Sequence, residues 1–173
     1  SRVFYTTPLK ALSNQKVNDF GTKYGYDKVG LLTGDTSINR DGQIVVMTTE
    51  VFRNMLYGTN FGEVADNLKN VKYVVLDEVH YMNDEERGTV WEESIIYCPV
   101  NIQIIALSAT VQNAQELTDW INTVHSETKL VNTDFRPVPL RFYYFDSSQP
   151  NRILPLLSPG GGLNKKIQPE KRQ

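Results

Sequence analysis

Two adjacent carboxylates, Asp77 and Glu78, follow an apolar run at 74–76, and His80 stands two residues further along the chain. An uninterrupted apolar run is typical of a strand buried on both faces, as in a parallel sheet. Ligands of such sheets bind beyond the carboxyl ends of the strands. Because neighbouring carboxylates repel each other, a cation or a basic group should offset their charge. A hydrated Mg²⁺ carried by a nucleotide would do so, with one acid holding the metal and the other a water molecule.

The alternative for Asp77 and Glu78 is an ordinary strand end followed by a solvated, acidic helix start. Four other apolar runs favour the chemical interpretation, because each is also followed by hydroxyl-bearing residues. These segments are 6–8 (TTP), 33–35 (TGD), 48–49 (TT) and 108–110 (SAT). In a parallel sheet all five strand ends share one edge, where hydroxyls and helix N-termini suit phosphate oxygens. For each Thr taken alone, a simple N-cap is the better explanation.

Strand and helix patterns alternate along the chain, which predicts an α/β fold with a mostly parallel sheet covered on both faces. The predicted strands are 3–5, 29–32, 44–47, 71–76, 102–107, 129–131 and 140–145. The helix after Asn113 has the clearest apolar stripe, at Leu117, Trp120, Ile121 and Val124. Beyond residue 145 the chain is rich in Ser, Pro, Gly, Gln and basic residues, which predicts a linker over 146–173 with little regular structure.

Composition narrows the functional classes. The chain has 173 residues, enough for one domain with a sizeable core, and a net charge of −2. Since a broad basic face would make the charge positive, any contact with nucleic acid must be local. No apolar run approaches the roughly 20 residues that cross a bilayer, so no membrane partner is expected. Cys98 has no partner for a disulfide or a metal site, which favours a reducing, intracellular setting.

Five segments, in order and at domain-like spacing, resemble the motifs of superfamily 2 helicases. They are 7–12 (TPLKAL), 33–35 (TGD), 48–56 (TTEVFRNML), 77–80 (DEVH) and 108–110 (SAT), similar to motif Ia, the Thr-Gly-Asp motif and motifs Ib, II and III. The sequence DEVH at 77–80 resembles motif II of the Ski-like group of RNA helicases. Residues 88–93 and 97–99 are closest to the cyanobacterial and chloroplast DEVH-box members, and 136–140 resembles the segment that leaves the first motor domain. The resemblance covers about residues 3–145.

The resemblance implies a three-layer RecA-like ATP-binding domain over 1–145, incomplete at its N-terminus, with 146–173 leading toward a second motor domain. It implies ATP and Mg²⁺ as cofactors, with Asp77 holding Mg²⁺ through water and Glu78 deprotonating the attacking water. His80, Ser108 and Thr110 would couple nucleotide state to the nucleic-acid side. The residues implied along one nucleic-acid strand are Thr7, Pro8, Lys10, Thr33, Gly34, Thr48, Thr49 and Arg53.

The chain also departs from the family pattern. It contains no G-x-x-x-x-G-K-[ST] phosphate loop, and motifs IV to VI with their arginine finger are missing. We therefore expect a fragment of a longer ATP-dependent RNA helicase that hydrolyses ATP negligibly by itself. The implied partners are RNA, single-stranded or duplex with an overhang, and a second RecA-like domain of the same parent chain. The expected location is the cytoplasm of a bacterium, such as a cyanobacterium, or the chloroplast stroma.

Two other functions remain open from the residues alone. A catalytically silent nucleic-acid-binding or scaffold domain would keep these motifs without turning over ATP. A DNA helicase of the same superfamily would share every motif, because RNA and DNA are distinguished chiefly at the 2′-hydroxyl.

Overall fold

The structure is a computed structural model of the chain. It describes residues 1–58, 64–83, 88–109, 113–133, 135, 137–145 and 152–167. The chain divides into two compact units, Ser1–Leu130 and Val131–Gln173.

In the first unit a twisted sheet carries the fold. Its strands are β1 (Arg2–Thr7), β2 (Val29–Leu32), β3 (Ser37–Ile38), β4 (Ile44–Thr48), β5 (Val71–Leu76) and β6 (Gln103–Ala106). They lie in the order β3-β2-β4-β1-β5-β6. All neighbours pair in parallel except β2 and β3, which pair antiparallel. The carboxyl ends of β1, β2, β4, β5 and β6 therefore meet at one edge, which we call the carboxyl edge. The predicted mostly parallel α/β sheet is confirmed.

Helices cover the sheet on both faces. They are α1 (Lys10–Tyr24), α2 (Thr49–Leu56), α3 (Val64–Asn67), α4 (Gly88–Tyr97) and α5 (Ala114–Val124), with 3₁₀ turns at Tyr26–Lys28 and Val79–Asn83. Alternation along β1 explains the layering, because Phe4 faces α2 and α4 whereas Tyr5 faces α1. Burying both faces of one sheet against helices produces three layers. Among the described helices, none is long and apolar enough to cross a bilayer.

The larger core lies between the sheet and α2, α4 and α5. Its fully buried side chains include Phe52, Met55, Trp91 and Ile95. The predicted stripe on α5 does face this core, although only Ile121 is fully buried. Helix α1 covers the opposite face of the sheet, where Val17 and Phe20 pack against the smaller core.

The predicted strand at 129–131 is wrong. Leu130 and Val131 are exposed, and this segment has no regular structure. A strand needs a partner for its backbone groups, and an apolar run alone does not supply one.

The second unit contains one strand that was predicted and one that was not. Strand β7 (Tyr143–Phe145) lies within the predicted strand 140–145, of which residues 140–142 have no regular structure. It pairs antiparallel with β8 (Ile153–Pro155), which lies inside the segment predicted as a mostly irregular linker. Further on, Leu157 and Leu163 form a bridge around a turn in which Gly161 has a φ of +84°. The short apolar run 153–155 therefore forms a strand because β7 pairs with it. The glycines, which predicted irregular structure, instead close the turn. As domain boundaries, 1–145 and 146–173 stay predictions.

Candidate functional site

Both oxygens of the Asp77 carboxylate are held in place at the end of β5. The hydroxyl of Tyr5 donates to Oδ2 at 2.7 Å. The backbone N–H of Glu78 donates to Oδ1 at 2.9 Å. Burial, followed by the hydrogen bond to Asp77, raises the pKa of Tyr5, so the phenol stays protonated and remains a donor. The carboxylate is therefore fixed in orientation at the carboxyl edge.

Glu78 adopts an unusual backbone conformation. Its φ is +56°, in the left-handed region, which costs a residue with a side chain roughly 1–2 kcal/mol. This turn leads the chain from β5 into the 3₁₀ turn Val79–Asn83, where the N–H of Tyr81 donates to the carbonyl of Glu78 at 3.0 Å. The side chain remains 38% exposed. Backbone strain of this kind concentrates at functional sites.

His80 contacts both Glu78 and Ser108, the residue two positions beyond the end of β6. Its Nδ1 is 3.2 Å from Oε2 of Glu78 and 3.4 Å from Oγ of Ser108. Backbone bonds reinforce this junction, because the N–H of Val79 donates to the carbonyl of Leu107 at 2.9 Å. The structure thus brings together His80, Glu78 and Ser108 as the sequence suggested. Thr110, the other predicted coupling residue, lies outside the described residues.

Two threonines are turned inward, one at the end of β1 and one at the start of α2. Thr7 and Thr49 are buried. The hydroxyl of Thr7 contacts Oγ of Ser13 at 2.7 Å and donates to the carbonyl of Leu9 at 2.9 Å. The hydroxyl of Thr49 donates to the carbonyl of Thr7 at 3.2 Å. These hydrogen bonds connect the N-terminal ends of α1 and α2 to β1.

Thr48 is the N-cap of α2, with its Oγ1 accepting from the N–H of Val51 at 3.4 Å. The simple capping alternative therefore describes the Thr48 side chain. Pro8, which is half-buried, lies at the same edge ahead of α1. The first turns of both helices face the carboxyl edge, and free N–H groups there suit phosphate oxygens.

The Thr-Gly-Asp segment after β2 is joined to α1 by an ion pair. Lys10 Nζ lies 2.5 Å from Oδ2 of Asp35, and the hydroxyl of Thr33 donates to Oδ1 at 2.9 Å. The hydrogen bond from Lys10, and then the one from Thr33, lowers the pKa of Asp35 to about 2. The Lys10 side chain is half exposed, and a Cβ added at Gly34 would meet open space. The backbone of Gly34 and the ammonium group of Lys10 are therefore both accessible to solvent.

Titration of Asp35 should report this ion pair. In the folded chain we expect a carboxyl pKa of about 2, against an ordinary value of about 3.9. Because the folded pKa is the lower one, the pair stabilises the fold above pH 4. That contribution declines as the pH falls from 4 toward 2. An NMR titration of the Asp35 carboxyl carbon measures the pKa, and Lys10→Gln should raise it toward 3.9. The same pKa in both proteins would contradict the assigned cause.

Arg53 is tied to α4. Its Nη1 lies 3.5 Å from Oε2 of Glu93, and its Nη2 lies 3.9 Å from Oε1 of Glu50. The side chain is 23% exposed. Glu93 also accepts from Tyr57, which raises the pKa of that tyrosine. The predicted nucleic-acid contact of Arg53 would have to compete with these carboxylates.

Sequence reasoning missed Tyr5, Ser13 and Glu93. Tyr5 follows an apolar alternation that marks it only as a core residue, and nothing in the sequence pairs it with a residue 72 positions later. Ser13 reads as an ordinary helix residue, and its contact with Thr7 depends on how the first turn of α1 is placed. Glu93 is partly exposed on α4, and nothing in the sequence pairs it with Arg53 on α2.

The residues at the carboxyl edge fit Mg²⁺ in one particular way. Among the described residues, no group of three or more His, Cys, Asp or Glu side chains could hold a metal ion. Mg²⁺ is commonly bound by one or two carboxylates together with water and substrate phosphates. A single fixed carboxylate, Asp77, is consistent with that kind of binding.

Comparison with known proteins decides the family. A family model described as DEAD/DEAH box helicase matches residues 1–117, which is more than half of the chain. The chain belongs to the DEAD/DEAH box helicase family.

Its relatives in this helicase family are much longer proteins. The chain is 54% identical over 168 residues to the DExH-box ATP-dependent RNA helicase DExH15 chloroplastic of Arabidopsis thaliana, covering 96% of this chain and 14% of the relative. It is 46% identical over 151 residues to Superkiller complex protein 2 of Mus musculus, covering 87% and 12%. The chain therefore spans less than a sixth of the length of these relatives.

Solved helicase structures share the fold. The structure of Mycobacterium smegmatis helicase Lhr bound to ssDNA and AMP-PNP matches with a TM-score of 0.55 and 26% identity, covering 68% of this chain and 18% of Lhr. The predicted RecA-like fold class and the predicted resemblance to DExH-box RNA helicases are confirmed.

Proposed function

We propose that this chain is part of an ATP-dependent RNA helicase that couples ATP hydrolysis at its carboxyl edge to movement along, or unwinding of, RNA. One observation carries the proposal. A fixed carboxylate at Asp77, an exposed carboxylate at Glu78 and the His80–Ser108 contact lie together where five parallel strands end. ATP use agrees with the name of the Arabidopsis relative.

Asp77 and Glu78 divide the chemistry between them. Asp77, held by Tyr5 and by the backbone of Glu78, is the residue that would hold Mg²⁺ through water. When bound, Mg²⁺ neutralises charge that develops on the transferred phosphoryl group. Glu78, with its exposed carboxylate, accepts the proton of the attacking water. Nδ1 of His80 contacts both Glu78 and Ser108. A change in the charge of Glu78 therefore shifts His80 and, through it, Ser108.

The strand-binding residues lie along the same edge. Thr7, Pro8 and Thr49 shape the first turns of α1 and α2, whose backbone N–H groups receive phosphates. The open backbone at Gly34, next to Thr33, lets a phosphate approach closely. Thr48 caps α2, and Arg53 lies one turn further along it. Contacts of this kind ignore base identity, as a translocating motor requires.

Lys10 should contribute one phosphate contact. In the full-length protein, Lys10→Ala should weaken binding to single-stranded RNA for every sequence tested. It should also reduce the slope of log K against log salt by about 0.7, because one neutralised phosphate fewer releases fewer counterions. Fluorescence anisotropy over a salt series measures both quantities. The matched control is Lys72→Ala, which removes the same charge from β5 at a distance from the carboxyl edge. An unchanged slope in Lys10→Ala would exclude Lys10 from the interface.

Unwinding assays on the full-length protein with matched RNA and DNA duplexes, each carrying an overhang, test the proposal. We expect ATP-dependent unwinding of the RNA duplex. Unwinding of DNA alone would favour a DNA helicase, and the DNA-bound structure of Lhr gives that candidate its support. A full gene without a G-x-x-x-x-G-K-[ST] loop upstream of residue 1 would favour the silent scaffold.

The remaining expectations concern the parent protein. We infer a second RecA-like domain in the same chain as the partner that supplies the arginine finger. The 173 residues alone should turn over ATP negligibly, because they contain no phosphate loop. We place the parent in a bacterial cytoplasm or in the chloroplast stroma, supported by the chloroplast label of the Arabidopsis relative and by the bacterial source of Lhr.

A further inference from the structure

The bond between Tyr5 and Asp77 joins two residues that are 72 positions apart in sequence. Tyr5 lies on β1, directly ahead of the segment that begins α1, and Asp77 ends the neighbouring strand β5. The hydroxyl donates to Oδ2 at 2.7 Å while the N–H of Glu78 holds Oδ1 at 2.9 Å. Two donors on opposite oxygens restrict rotation of the carboxylate about its Cβ–Cγ bond.

Tyr5 is itself firmly placed. Its side chain is only 9% exposed and packs in the smaller core with Val29 and Val46. The ring of Phe20 on α1 meets it edge to face, with centroids 5.2 Å apart at an angle of 74°. Lys16 Nζ lies 5.5 Å from the ring centroid. A phenol fixed in this way can impose its position on the carboxylate that it contacts.

We propose that Tyr5 is a positioning residue that orients the Asp77 carboxylate for the hydrated Mg²⁺ of bound ATP. The inference rests on the proposed function and deepens it, because it assigns a role to a residue of β1 beside the proposed ATP site. Outer-shell partners of this kind change metal affinity by about 10–100-fold. We expect the lower end of that range, because Asp77 holds the metal through water.

Tyr5→Phe in the full-length protein tests the inference, because it removes the hydroxyl and keeps the packed ring. The first measurement is equilibrium binding of a fluorescent ATP analogue over a Mg²⁺ series, without turnover. We expect unchanged affinity in the absence of Mg²⁺ and a Mg²⁺ midpoint about 10-fold higher than in the wild type. The second is ATPase activity over the same series, where saturating Mg²⁺ should restore turnover to within about 3-fold.

Two further variants make the outcomes distinct. Tyr73→Phe removes the hydroxyl of a 40% exposed tyrosine on β5 and should leave the Mg²⁺ midpoint unchanged. Asp77→Asn should abolish the Mg²⁺-dependent gain in affinity. A wild-type midpoint in Tyr5→Phe, with the gain lost in Asp77→Asn, would overturn the role of Tyr5 and leave the proposed function standing. A gain retained in Asp77→Asn would overturn both. Reduced turnover in Tyr5→Phe at an unchanged midpoint would also reject the positioning role.

Discussion

Glu78→Gln in the full-length protein should lower ATP turnover by about 10²–10⁴-fold, the usual contribution of a general base. Glutamine has nearly the same shape as glutamate but cannot accept the proton of the attacking water. ATP affinity should stay nearly unchanged, because the Asp77 carboxylate keeps its bond from Tyr5. The backbone N–H of residue 78 also remains available to Oδ1 of Asp77. Steady-state ATPase assays and equilibrium nucleotide binding separate the two effects.

Glu92→Gln is the matched control for this experiment. It removes the same charge from an exposed position on α4, and turnover should stay within about 2-fold of the wild type. Comparable turnover in Glu78→Gln and Glu92→Gln would show that Glu78 is not the general base. Tight nucleotide binding with no turnover in either the wild type or the variant would instead favour the silent scaffold.

Phe52→Ala should destabilise the first unit by about 3–5 kcal/mol. The side chain is fully buried and meets the ring of Phe4 edge to face, with centroids 6.3 Å apart at 83°. Truncation leaves a cavity between α2 and β1, whose surroundings are two rigid elements that close it poorly. Urea unfolding of the 173-residue chain, followed by near-UV circular dichroism, measures the loss.

Ile38→Ala serves as the comparison for Phe52→Ala. Ile38 is apolar but 58% exposed on β3, so its truncation should cost less than about 1 kcal/mol. Similar losses for the two variants would mean that the core between the sheet and α2 contributes no more than the surface. Because α2 begins at the carboxyl edge, Phe52→Ala should also weaken RNA binding by the full-length protein.

Sequence patterns predicted that the polar segments after the strands share one edge of the sheet, because parallel topology is a strong constraint. Buried apolar runs alternating with helices leave few arrangements, and all of them place Asp77 and Thr33 at the same edge. Which side chains touch is a different question. The Tyr5–Asp77 hydrogen bond forms only because β1 and β5 are neighbouring strands in this register. The order of strands in a sheet cannot be predicted from a local sequence pattern.

The same limit explains the errors. At 129–131 an apolar run lacked a partner, whereas Ile153 found one in Phe145. Thr7 and Thr49 look like free hydroxyl donors in the sequence, but packing directs them inward. Of the predicted strand-binding residues, Lys10 is half exposed but paired with Asp35, Gly34 has open space beside it, and Arg53 lies against Glu50 and Glu93.

Because the backbone at Glu78 is left-handed, selection for stability and selection for turnover favour different residues at this position. At a φ of +56°, glycine or asparagine would relieve strain, so selection for stability alone would discard the glutamate. Under the proposed function, selection for turnover would retain it at that cost. A lineage that stopped hydrolysing ATP would be released from the second pressure and would drift toward the less strained residues. Position 78 therefore works as a marker: among relatives of this chain, glycine or asparagine there would identify members that have become silent, before any assay is done.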